Sequence, residues 1–172
     1  MTDTSTIIQG RIWKLGDQVN TDILHPPSFF SLERERIKKG LLEGMKRLGS
    51  GVNSASLDED LVIVAGYNFG CGSSRETSVR ALLACGIKAV VAKSFARIFF
   101  RSLVNMGIPP LVCGHIHDRA CDGEKCLIDP ENGFIKLSSK NKYRFSPIDS
   151  HIKKVLSSGG LIPYLVENSD EL

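Results

Sequence analysis

The sequence predicts one α/β domain: a largely parallel core sheet, helices laid on it, and an additional antiparallel piece. Three observations predict it. First, the β-branched runs 61–65 and 88–93 and the short run 107–113 alternate with the helix-patterned stretches 76–86 and 95–106. Two strand–helix–strand units in succession imply right-handed crossovers and parallel pairing. Second, the junctions carry Gly66, Gly70, Gly72, Gly86 and Gly107, the residues that end helices and turn chains. Third, the stretch after residue 129 breaks into short segments between turn signals, which suits a hairpin rather than another crossover. At 172 residues the chain is long enough for a sizeable core, and it is read as a single domain over 1–172.

The elements follow in order. Residues 7–15 mix apolar and polar positions and suit a first strand. Gly16 to Asp22 is turn-rich, and Asp22 there reads as a turn or capping carboxylate. Pro26 and Pro27 disfavour helix and introduce Phe29, Phe30 and Ser31. Glu33 to Arg47 places Ile37, Leu41, Leu42 and Met45 at helical spacing, an amphipathic helix with a break expected near Gly40 or Gly44. Gly49 to Asp58 reads as a small, polar, mobile loop. In the second strand–helix unit, Phe95, Ile98, Phe99, Leu103 and Met106 form the expected core face. Phe134–Leu137 and Tyr143–Phe145 read as strands, and 147–159 as a final helix stopped by Gly159 and Gly160.

Chemistry concentrates in 61–77, which reads as strand, Gly-rich turn and helix. The start of a helix presents unpaired N–H groups and the positive end of its dipole. A Gly-rich turn leading into it makes an anion site. Ser73, Ser74 and Arg75 lie in that turn, and a guanidinium matches a carboxylate or phosphate with two parallel hydrogen bonds. The other reading makes Ser73 a helix cap and Arg75 a solvated charge. A nucleotide phosphate loop needs Lys and then Ser or Thr after its last Gly, and a dinucleotide fingerprint needs Gly at position 75; neither is present. Lys93, Ser94, Arg97 and Arg101 either extend a cationic site, cap the helix or meet a partner.

Composition excludes several classes. A net charge of +3 with scattered basic residues gives no case for nucleic acid. No apolar run is long enough to cross a membrane, and the first residues lack the pattern of a secretory signal. Five cysteines, an odd number, argue for free thiols and a cytoplasmic location. Cys113, His115, His117, Cys121 and Cys126 lack paired zinc-ligand spacing and read as a loop with free cysteines.

Four stretches carry a family resemblance: Asn68-Phe-Gly-Cys-Gly-Ser-Ser-Arg-Glu76, Asn20-Thr-Asp-Ile-Leu-His-Pro26, Ala92 to Arg101 followed by Asn105 and Gly107, and Gly159-Gly-Leu-Ile-Pro-Tyr164. In this order they resemble the swivel domain of the aconitase superfamily, in the form of its separately encoded small subunits. The resemblance implies a swivelling β/β/α fold and half of a hydro-lyase active site, inert alone. The reaction removes and re-adds water across a substituted malate, a small dicarboxylate. A large iron–sulfur subunit would be the partner, in a heterodimer or heterotetramer. It would carry the 4Fe–4S cluster; this chain would bind no metal, and Cys71 would not ligate iron. By the same resemblance Ser73 is the base, acting as alkoxide, while Ser74 and Arg75 hold substrate carboxylate. Gly70, Cys71 and Gly72 shape the turn, and the resemblance puts the segment of Asp22 near the active-site face, where this carboxylate would help organise the site. The 29–31 loop helps choose the substrate; where a related loop has Tyr, Leu and Arg, this chain has Phe29, Phe30 and Ser31. Without that Arg no countercharge awaits a third carboxylate, and the two rings suit an apolar substituent. They suit packing within this domain or onto a partner equally. The order of expected substrates is 3-isopropylmalate, then a dimethylmalate, then homoaconitate. Thr77 and Ser78 depart from the usual His-Ala. A non-catalytic module that binds a dicarboxylate or a protein is the alternative from another class.

Overall fold

A computed structural model describes residues 7–49, 59–73, 76–139 and 141–169. Seven strands form one sheet in the order β4-β3-β2-β1-β5-β6-β7. Strands β1 (Ile8–Lys14), β2 (Leu61–Ala65), β3 (Ile87–Ala92) and β4 (Pro110–Val112) pair in parallel. Strands β5 (Lys125–Asp129), β6 (Phe134–Leu137) and β7 (Lys142–Arg144) continue from the other edge of β1, all antiparallel. The parallel core and the antiparallel addition match expectation, and the two are halves of a single sheet.

Side chains of a strand alternate between faces, and that alternation builds two cores. From β2, Leu61, Ile63 and Ala65 enter one cluster with Trp13, and Val62 and Val64 enter the other with Ile12. A small irregularity between Leu61 and Val62 adjusts the β2–β3 register, after which Val90 and Ala92 face the first cluster and Val91 the second. Helices α1 (Thr21–Leu24), α2 (Arg34–Arg47), α3 (Glu76–Ala84) and α4 (Arg97–Asn105) contribute to the first cluster. The second is closed by Cys113, Ile116, Ala120, inward residues of β5 and β6, and Phe145. Removing a Leu, Ile or Val from water in this way contributes about 1.5–3 kcal/mol each.

Several expectations are corrected. Helix α2 is not broken at Gly40 or Gly44; it runs unbroken over both. The glycines are there for closeness: a Cβ on Gly40 would lie 2.5 Å from Phe29 Cβ and 2.6 Å from the His25 ring, and one on Gly44 would overlap the Leu24 carbonyl oxygen. Pro26 and Pro27 do not exclude helix nearby, since α1 ends just before them and Pro27–Phe29 forms a 3₁₀ turn with proline at its start. Ile98 does not face the core but is 66% exposed, because the helix begins at Arg97 and Phe99, Leu103 and Val104 take the inner face. The expected final helix is α5 (Ser150–Ser157), and a further one, α6 (Leu161–Glu167), follows Gly160 despite Pro163, which sits in its first turn. The segment from Cys113 to Cys126 ends inside β5. Residues 50–58 of the expected polar loop lie outside the described residues.

Candidate active site

Parallel strands bring their C-terminal ends to one edge, where ligands of open α/β sheets bind. Here the turn after β1 and the turn after β2 are laced together. The Gly66 N–H donates to the Gly16 carbonyl (3.1 Å), Gln18 N–H to Tyr67 (2.7 Å), Gly70 N–H to Val19 (3.0 Å) and Thr21 N–H to Cys71 (3.0 Å). The Asp17 carboxylate accepts from the Tyr67 N–H at 2.7 Å. Gln18 and Asn68 take left-handed backbone angles, φ 52° and 55°, inside this lacing. Such angles cost a non-glycine residue about 1 kcal/mol or more and persist where surroundings over-determine them.

Two glycines are required by geometry. Gly70 and Gly72 have φ of 80° and 92°. A Cβ on Gly70 would overlap the Phe99 ring, and one on Gly72 would come within 2.6 Å of Asn20 Oδ1. Cys71 is half-buried, and its Sγ–H donates to the Gln18 carbonyl at 3.2 Å.

The side chain that this scaffold presents is Ser73. Its Oγ–H donates to Asp22, at 2.8 Å from Oδ2 and 3.1 Å from Oδ1. Ser73 is exposed and Asp22 half-buried. Asp22 is not the cap of α1; that role belongs to Asn20, whose Oδ1 accepts the Asp22 N–H at 2.8 Å. The Asp22 carboxylate is thereby left for Ser73. Thr21 Oγ–H donates to the Ser73 carbonyl at 2.9 Å, which fixes the backbone of the serine as well. Sequence reasoning assigned no role to Asn20 or Thr21, although Asn before a short helix is a capping signal. Ser74 and Arg75 lie outside the described residues.

The other residues marked in the sequence have partners of their own. Ser94 Oγ accepts the Asn68 N–H at 2.8 Å, so it supports the Gly-rich turn. Lys93 is not a free cation: its Nζ meets Asp118 at 2.8 and 3.0 Å and lies 5.2 Å from the centroid of the Tyr67 ring. Its hydrogen bond to Asp118 raises its pKa and lowers that of the carboxyl. In the 29–31 loop, Phe29 packs on Gly40, the Phe30 ring stacks on His25 (5.4 Å between centroids), and Ser31 Oγ accepts the Glu33 N–H at 3.0 Å. All three loop residues are half-buried, so each keeps an open side. His25 is fully buried, and burial pushes its pKa down, opposed in part by the Ile37 backbone. Ser78, at a family-divergent position, is buried with no partner for its hydroxyl among the described residues.

No three His, Cys, Asp or Glu side chains converge as a metal set among the described residues. Burial pushes the Cys85 and Cys126 thiols up to about 12 and raises that of Cys113, which disfavours the thiolate that ligation needs. His117 Nε2 is 2.9 Å from the Leu15 carbonyl, a structural contact. The donor groups among the described residues therefore do not fit an iron–sulfur cluster. Among the described residues no helix is long and apolar enough to cross a membrane.

The Aconitase C-terminal domain family model matches residues 52–115, the stretch that holds β2, the Gly-rich turn with Ser73, β3 and α4. Full-length relatives narrow this. The chain is 39% identical to 3-isopropylmalate dehydratase small subunit 1 of Thermotoga maritima, over 92% of this chain and 95% of the relative. It is 37% identical to the homoaconitase small subunit of Methanothermobacter thermautotrophicus, over 95% and 94%. The crystal structure of 3-isopropylmalate dehydratase from Methanocaldococcus jannaschii superposes with a TM-score of 0.83 at 35% identity, covering 96% of this chain and 97% of that one. The chain belongs to the 3-isopropylmalate dehydratase small-subunit family of the aconitase superfamily.

Proposed function

We propose that the chain, as one swivel-type domain, is the small subunit of a two-subunit hydro-lyase that dehydrates and rehydrates 3-isopropylmalate, a step of leucine biosynthesis, in the cytoplasm. The observation that carries this reading is the Ser73–Asp22 pair at the C-terminal edge of the parallel strands, 2.8 Å between Oγ and Oδ2.

The reaction needs a base for a weakly acidic C–H proton and a Lewis acid for the leaving hydroxyl. A 4Fe–4S cluster with an open iron, carried by the large subunit, would supply the second. Ser73 supplies the first: the substrate proton moves to Oγ, and the hydroxyl proton has Asp22 Oδ2 within reach as acceptor. A neighbouring carboxylate also opposes an alkoxide. Cationic groups must offset it, and Arg75 is the one this chain offers from the same turn, with Ser74 beside it for a substrate carboxylate. Gly70, Cys71 and Gly72 keep that turn in the shape the chemistry needs. The base and the cluster then belong to different chains, so either subunit alone is inert.

Overall identity does not separate the substrates, because 39% to one relative and 37% to another are equivalent. The loop does. Phe29 and Phe30 present ring surface and Ser31 no charge, which favours an isopropyl substituent, then a dimethylmalate, over the third carboxylate of homoaconitate. The free thiols of all five cysteines support a reducing compartment.

The test is turnover at the enoate absorbance by anaerobically reconstituted holoenzyme, with isopropylmalate, dimethylmalate and homocitrate in parallel. Isopropylmalate should react, and either subunit alone should not. Ser73→Ala should lower kcat by about 10²–10⁴-fold while the subunits still assemble. Unchanged turnover would remove Ser73 from the base role, and a complex inert to all three substrates would overturn the loop reading.

A further inference from the structure

The catalytic reading leaves two of the marked residues unused. Arg97 and Arg101 stand four residues apart on α4, hence on one face of it. Both are exposed, and neither has an acidic partner among the described residues. The first turn of α4 carries no acidic residue. Like charges at this spacing destabilise an isolated helix, so the arrangement brings the lone chain no gain.

The arginines border a notch of about 310 Å³ whose floor is Phe95, Phe100 and Val112. Phe95 and Phe100 meet edge to face, 5.6 Å between centroids. Ile98, next to Arg97, is 66% exposed. Exposed aromatic and aliphatic surface rimmed by Arg is the composition of a protein interface centre. The place matters equally. Helix α4 is the wall behind the Gly-rich turn: the Phe69 N–H donates to the Ser94 carbonyl and the Ala96 N–H to that of Phe69, both at 2.9 Å. Phe99 fills the space that a Gly70 side chain would need. A second subunit that completes the site at Ser73 would come up to this turn and to the helix behind it.

We propose that the Arg97–Ile98–Arg101 face of α4, with the Phe95–Phe100–Val112 notch, is the docking surface for the large subunit. It takes an acidic and apolar segment of that subunit: carboxylates on the guanidiniums and an apolar side chain in the notch. The proposal rests on the two-subunit reading above.

The experiment titrates the large subunit into the purified chain by isothermal calorimetry at low and high salt, and follows turnover of the reconstituted enzyme. The variants are Arg97→Glu/Arg101→Glu and the milder Arg97→Gln/Arg101→Gln, with Lys125→Glu/Lys136→Glu in the antiparallel half as the charge control. The Glu pair should weaken assembly by about 100-fold and the Gln pair by about 10-fold. The control should match the unmodified chain, whose affinity should fall with salt. Excess large subunit should restore kcat with KM unchanged, and the thermal midpoints of the variants should stay level. Intact affinity with a raised KM would overturn the proposal, because the arginines would then hold substrate. So would variants that change only the self-association of this chain, or variants identical to the unmodified protein. An unmodified chain that neither binds the large subunit nor supports turnover would overturn the two-subunit reading, and this surface with it.

Discussion

Asp22 is the residue through which the site can be tested most directly. Its carboxylate accepts the Ser73 Oγ–H at 2.8 Å, and in the proposed mechanism it would also take the proton. Asp22→Asn separates the two roles. The amide oxygen still accepts a hydrogen bond, the N–H to Asn20 is a backbone group and survives, and the proton acceptor is gone. If Asp22 takes the serine proton, kcat should fall by about 10²-fold or more, with KM little changed and assembly intact. If it only orients the hydroxyl, the Asn variant should keep most of the wild-type kcat. Steady-state kinetics of the reconstituted enzyme decides between them. The Gly-rich turn that carries Ser73 was legible in the sequence because its glycines lie between a β-branched run and a helical pattern. Asp22 was legible only as a candidate organiser, and its hydrogen bond to Ser73 was not, because 51 residues separate the two. What unites them is the lacing of two turns, a set of backbone hydrogen bonds that composition does not encode.

At the scale of elements, glycine shows how far a sequence reading goes. A glycine inside a helix usually costs about 1 kcal/mol relative to alanine, and on that logic Gly40 and Gly44 mark a break in α2. In the fold they mark contact, since α1 and the turn after it press onto α2 where a side chain would stand. The sign of a Gly→Ala substitution therefore reverses. Gly44→Ala should gain helix propensity and lose more to the Leu24 carbonyl it would overlap, a backbone group that cannot swing aside. The net loss should be about 1–3 kcal/mol, read as a lower denaturant midpoint with an unchanged slope. A gain in stability would show that α1 moves away at little cost. The strands 61–65 and 88–93 were legible because buried parallel strands are β-branched throughout. Helix α6 was hidden by a proline that its first turn accepts, and α2 was split by glycines whose reason lies on another element. Ile98 was assigned to the core because periodicity places a face only once the first residue of the helix is known.

The whole molecule is one sheet with two different halves, and the halves should respond differently to acid. Among the described residues, the three carboxyls held below their ordinary pKa all lie in the segment that covers the second core. Asp118 is held by its hydrogen bond to Lys93, then by His117. For Glu124 burial works the other way, but hydrogen bonds from Ser138 Oγ and from the Cys121, Ser139 and Ser138 backbones outweigh it. Asp129 accepts from the backbone and side chain of Asn132, at 2.9 and 2.8 Å. A carboxyl whose folded pKa lies below its unfolded one contributes stability that is full above the unfolded value, about 4, and lost as pH falls through the folded one. These groups fasten the 115–118 loop to β3 and the two ends of β5 to their turns. The parallel strands β2 and β3 are instead buried along almost their whole length, and apolar burial does not titrate. Hydrogen exchange followed from pH 5 to pH 3, with intrinsic rates corrected for pH, should therefore show β5, β6 and β7 losing protection before β2 and β3. Asp129→Asn should move that loss to higher pH in the antiparallel half alone. Simultaneous loss across all seven strands would mean instead that the two halves unfold as one cooperative unit, and that the carboxyl contacts are shared by the whole sheet.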